Sequence, residues 1–132
     1  MLRLTVVTPQ RAFLEEACEN VTLPGLRGEL QVLPGHVSSL VELKTGMVSF
    51  ENKNHEKTRF VVSQGFAEIE SGRVVILCEI ARSRSEVDKE SEEALQRDLL
   101  DELNNLAGKE QDELKKLQTR LEISVASLNL LE

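Results

Sequence analysis

From Met1 to about Ser83, turn-forming residues recur about every 8 to 12 residues, a spacing that leaves no room for helical crossovers and restricts the region to short strands. The densest of these signals is Leu23 to His36, reading LPGLRGELQVLPGH. Proline pre-sets φ for the second position of a tight turn, and glycine accepts the positive φ that a type II turn needs at the third. The two Leu-Pro-Gly triplets therefore predict two chain reversals. Between them, Leu30 and Val32 alternate with Glu29 and Gln31, the period of a strand with one buried face.

The same reading extends along the region. Leu2, Leu4 and Val6 alternate with Arg3 and Thr5, and Pro9 ends the run; Ala12 to Ala17 and Glu19 to Leu23 follow as short strands around Cys18. After His36, the run Val37 to Leu43 leads into a turn at Lys44-Thr45-Gly46, and Met47, Val48 and Phe50 begin another strand. Asn52-Lys53-Asn54-His55 reads as a hairpin tip, Thr58 to Val62 as its return, and Ser71-Gly72 as a compact turn between Phe66–Glu70 and Arg73–Ile80. About ten short strands predict an all-β sandwich or flattened barrel over residues 1–84.

At Arg82-Ser83-Arg84-Ser85 the pattern changes to a helical period. Ser85 is placed to cap a helix whose first turn carries Glu86 and Asp88. Leu95, Leu99, Leu103 and Leu106 recur at helical spacing with Leu100 beside them, and Gly108 is a natural stop. A second helix from about Glu110 places Leu114, Leu117, Leu121, Val125 and Leu128 on one stripe. Residues 85–132 are thus expected to form an antiparallel α-helical hairpin. Burying one such stripe is opposed by the entropy of ordering the helix, so docking on the sandwich is expected to be marginal, with a second arrangement close in free energy.

Charge divides at the same boundary: residues 84–132 hold 7 basic and 13 acidic side chains, residues 1–83 hold 9 and 10. A net charge of −7 and 3% aromatic content argue against nucleic acid and against sugar-stacking clefts, which need basic faces or exposed rings. Cys18 and Cys78 have no metal-ligand spacing, and Cys78, alternating with Val74 and Ile76, reads as a small buried hydrophobe. The opening residues MLRLTVVTP lack a signal peptide's apolar run, and no stretch reaches the length of a membrane span. No catalytic set is visible: there is no H-E-x-x-H, phosphate loop or nucleophile elbow, and Glu68 and Glu70 on one strand face read as solvated acids. No metal and no cofactor is expected. His36 reads as a brace for its turn.

Taken in order, LPGLRGELQVLPGH, Leu43-Lys44-Thr45-Gly46, Gly65-Phe66-Ala67-Glu68 and an acidic helical hairpin closely resemble, over essentially the whole chain, the ε subunits of bacterial and chloroplast F-type ATP synthases. The resemblance implies a non-catalytic rotor subunit of the central stalk, bound to the γ subunit and to the ring of c subunits. It coordinates ion flow with ATP synthesis from the cytoplasmic face of the bacterial inner membrane. Membrane association would come only through the complex. Gly28, Glu29, Leu30 and His36 inherit contact with the c ring. The hairpin would fold on the sandwich or extend toward the α/β catalytic head and restrain hydrolysis, with Lys115, Lys116 and Arg120 meeting acidic segments there.

The chain departs from that family at one motif. ATP-binding members open the first helix with Ile/Leu-Asp-x-x-Arg-Ala, and here Val87, Asp88, Lys89, Glu90, Ser91 and Glu92 stand in register. Only Asp88 is kept; a carboxylate replaces Ala and a hydroxyl replaces the guanidinium, which disfavours an anionic nucleotide. Weak or no ATP binding is expected. The alternative from residues alone is a stand-alone β-sandwich binding module that self-associates through its helices.

Overall fold

The computed structural model describes residues 1–35, 38–105 and 110–132. Ten strands come first: β1 (Leu2–Val7), β2 (Ala12–Cys18), β3 (Asn20–Gly25), β4 (Gly28–Val32), β5 (Ser39–Leu43), β6 (Gly46–Glu51), β7 (Lys57–Val62), β8 (Gly65–Glu70), β9 (Arg73–Cys78) and β10 (Ala81–Ser83). Two helices follow a single 3₁₀ turn at Arg84–Glu86: α1 (Lys89–Asn104) and α2 (Gln111–Leu130). An all-β body followed by a helical pair is the architecture the turn spacing and the leucine period predict.

The strands hydrogen-bond along one path, β10-β7-β6-β3-β5-β8-β9-β1-β2, with β4 paired to β3. Every pairing is antiparallel except β1 with β9, which runs parallel. The two ends of the path come together: Phe13 on β2 lies 5.3 Å from Phe60 on β7, ring centre to ring centre, and Arg11 Nη2 donates to the Ala81 carbonyl at 3.0 Å. The sheet is therefore folded into a nearly closed sandwich. Alternating residues fill it, among them Leu4 and Val6 from β1, Ala67 and Ile69 from β8, and Val74 and Ile76 from β9. Both cysteines are buried and free, and burial pushes the Cys78 thiol up to about 11.

On β7 the alternation stops: Phe60, Val61 and Val62 are all buried. Phe60 and Val62 point into the sandwich, while Val61 is covered from outside by Ala126 and Leu130 of α2, with Met47 of β6 beside them. α2 packs on β6 and β7, and α1 lies along α2. The hairpin thus docks through a narrow apolar strip.

Three expectations are corrected. The first reversal falls on Leu26-Arg27, one step beyond Leu23-Pro24-Gly25: Pro24 and Gly25 are the last residues of β3, and Gly25 pairs with Gly28 across the turn. A Cβ on Gly25 would lie 2.5 Å from the Gly28 carbonyl oxygen, so this glycine serves a close backbone approach. The second triplet does turn, with Gly35 at φ +86°. Asp88 caps α1, accepting the Ser91 backbone N–H at 3.2 Å, and Ser85 falls in the 3₁₀ turn. The α2 stripe holds only in part: Leu117 is buried and Leu114, Leu121 and Leu128 are half-buried, but Val125 is 40% exposed, and Ile123, Ala126 and Leu130 beside the stripe are buried. α2 is enclosed by α1 on one side and the sheet on another, so its buried arc is wider than a leucine stripe and includes Ser124 and Ser127. Leu106 and Gly108 lie outside the described residues.

Candidate functional site

The β3–β4 hairpin forms one tip of the sandwich. Gly28 takes φ +137°, a conformation that disfavours side chains, although open space surrounds its Cα. That backbone turns Glu29 out to solvent, and the strand period then half-buries Leu30 against the core. A groove of about 490 Å³ runs beside the tip, lined by Leu26, Arg27, Glu29, Leu40 and Glu42 among others. Leu40, at 70% exposed, and Leu26, about half exposed, are large apolar side chains left in water around Glu29 and Arg27. Apolar area interspersed with charge that has no ion-pair partner among the described residues suits a protein surface rather than a reaction centre. His36, the fourth residue assigned to this contact, lies outside the described residues.

Lys115, Lys116 and Arg120 are all exposed on the N-terminal half of α2, and among the described residues none of them forms an ion pair. They are on a different element from Glu29, so the predicted residues form two separate surfaces.

The root of the hairpin is held by groups that sequence reasoning missed. Arg11 Nη2 pairs with Glu86 Oε2 at 2.7 Å while its guanidinium sits 4.9 Å over the Phe13 ring. The Ser83 backbone N–H, helped by Arg11, holds the Glu86 carboxyl below its usual range. The Asp88 carboxyl is likewise lowered, chiefly by the Ser91 hydroxyl, which donates to it at 2.6 Å. Arg82 of β10 reaches Glu92 of α1 at 3.2 Å and Ser127 of α2 at 3.4 Å. Residues ten and forty-five positions apart have no shared period, and no spacing in the sequence signals such a set.

Among the described residues no group of three or more His, Cys, Asp or Glu side chains is arranged to hold a metal ion, and no helix is long and apolar enough to cross a membrane.

Residues 1–84 match the family model for the ATP synthase delta/epsilon chain, beta-sandwich domain. An ATP synthase epsilon chain from Clostridium kluyveri is 30% identical over all of this chain and 98% of that protein. One from Magnetococcus marinus is 33% identical over 98% of this chain and 93% of that protein. The match to the Campylobacter curvus epsilon chain, at 40% identity, spans 59% of this chain and 60% of that protein. Among solved structures, a chain of the Euglena gracilis mitochondrial ATP synthase, in an OSCP/F1/c-ring structure, shares the fold at TM-score 0.83 and 23% identity. That likeness covers 99% of this chain and 81% of that one, so it includes the helices as well as the sandwich. A sandwich matched by its family model and a full-length alignment to curated relatives agree: this chain belongs to the ATP synthase epsilon-chain family.

Proposed function

We propose that this chain is a non-catalytic rotor subunit of an F-type ATP synthase, joining the γ subunit to the c ring and restraining ATP hydrolysis through its hairpin. The observation that carries the reading is the β3–β4 tip, where exposed Glu29 and Arg27 stand beside exposed Leu26 and Leu40. In this reading Gly28 shapes the tip, Leu30 anchors it to the core, and Glu29 and His36 meet the loops of the c ring. The subunit sits peripherally at the cytoplasmic face of the bacterial inner membrane, held there by the complex. The sandwich, 1–84, and the hairpin, 85–132, act as separate domains, with Lys115, Lys116 and Arg120 free to face acidic segments of the α/β head.

The ATP-motif positions support weak or absent nucleotide binding. Asp88 is committed to capping α1, and Glu92 sets a carboxylate against Arg82, so that guanidinium is already neutralised toward an anionic ligand. Calorimetric titration of the chain with ATP is expected to give no micromolar binding.

The test of the main reading is the assembled complex carrying Glu29→Gln and His36→Ala. Retention of the c ring and ATP-driven ion pumping should fall relative to ATP hydrolysis. Unchanged coupling and c-ring retention would return the tip to a scaffold role.

A further inference from the structure

Beside the apolar strip at Val61, a set of polar groups also ties the hairpin to the sandwich. Arg82 Nη1 donates to Glu92 Oε2 at 3.2 Å and to Ser127 Oγ at 3.4 Å, so β10, α1 and α2 meet at one guanidinium. Glu92 is only 8% exposed, and Ser124 and Ser127 are fully buried. Two buried polar atoms, Glu92 Oε1 in this cluster and Ser124 Oγ one turn before Ser127 on α2, have no hydrogen-bond partner among the described residues. Farther along, Arg59 donates to the Glu132 carbonyl and Arg84 to the Leu131 carbonyl, each at 3.2 Å, placing positive charge at the negative end of the α2 dipole.

Two physical asymmetries apply. Removing one member of a buried ion pair leaves an uncompensated charge and is strongly unfavourable, whereas replacing both by apolar groups of similar size is often neutral or stabilising. A buried hydroxyl with no partner costs free energy that an alanine at the same place would not. A cluster with one open carboxylate oxygen, next to an open buried hydroxyl on α2, therefore fixes where the hairpin sits but holds it less tightly than an apolar contact of the same area.

We propose that Arg82, Glu92 and Ser127 form a polar latch that sets the docked position of the hairpin and keeps that docking weak enough to be released. Arg82 is the element that must let go. Because it reaches both helices, and α1 packs along α2 directly, losing its contacts frees the hairpin as a unit. The regulatory consequence rests on the function proposed above; the latch itself does not.

Hydrogen exchange of the α2 amides from Ile123 to Leu130, in the full chain, tests the latch, with the β8 and β9 amides as the control for an intact sandwich. Arg82→Ala should accelerate α2 exchange by about tenfold or more, discounted for the partial exposure of the pair, while β8 and β9 stay protected. Ser124→Ala should slow it. The double variant Arg82→Met with Glu92→Leu should exchange no faster than the parent chain, and this arm remains decisive if Arg82→Ala fails to fold. Double-variant exchange as fast as that of Arg82→Ala, or acceleration by Ser124→Ala, would overturn the latch. In the assembled complex, Arg82→Ala should lower ATP hydrolysis; a released hairpin with hydrolysis unchanged would leave the latch standing and remove the inhibitory role.

Discussion

Gly65 opens β8 where the neighbouring strand closes in: a Cβ built on it lies 2.2 Å from the Leu77 carbonyl oxygen and 3.1 Å from Cys78 Cα. Those are backbone atoms of β9, which cannot yield as a flexible side chain would, so Gly65→Ala must displace the β8–β9 pairing. The expected loss is about 1–3 kcal/mol, in the range of overpacked cores, seen as a fall in the thermal midpoint of the sandwich. An unchanged midpoint would mean that β9 shifts without strain. The sequence marks Gly65 as punctuation, but the reason it is glycine is long-range, and no local rule supplies it. Glu29 and Leu30 are the opposite case: the strand period alone places one outside and the other toward the core, as found. Arg82 and Glu92 were unreadable because their pairing depends on how a strand hands over to a helix, which has no period.

At the scale of elements, α2 is the instructive helix. A leucine stripe at i, i+3, i+4 and i+7 places Val125 among the docking residues, yet Val125 is 40% exposed and Ala126 and Leu130 make the contact with Val61 and Met47. The period identifies the helix; it does not determine which side is enclosed when two partners, α1 and the sheet, divide the surface. The reading that β7 is an ordinary returning strand passed over the same information from the other side, since the unbroken run Phe60-Val61-Val62 signals a strand covered on both faces. Two substitutions separate the two versions. Leu130→Ala removes a side chain only 1% exposed and should weaken docking by about 2–5 kcal/mol, enough to expose α2 to proteolysis under native conditions. Val125→Ala should leave cleavage of α2 within about twofold of the parent, as surface changes usually do. Equal effects would restore the leucine stripe as the docking face.

For the whole molecule, the boundary between strands and helices was legible in charge and period, whereas closure of the sandwich was not: the parallel pairing of β1 with β9 and the return of β2 over β7 join segments far apart in sequence. Yet closure decides what the sandwich can do without its hairpin. All the residues of the main core, from Leu2 to Ala81, precede the boundary, and the hairpin adds a small separate cluster through Val61. Its removal should uncover Val61 and Met47 while leaving the inner packing intact. A chain ending at Arg84 is therefore expected to unfold in urea in one cooperative transition, at a cost relative to the full chain of about 2–5 kcal/mol, no less than that of Leu130→Ala, because Leu130 is lost with the hairpin. In the full chain the helical circular dichroism should be lost at lower urea than the protection of β8 and β9 amides, because the hairpin is held by the narrower contact. Loss of both signals together, with no cooperative transition in the shortened chain, would make sandwich and hairpin a single folding unit and remove the physical basis for a hairpin that moves independently.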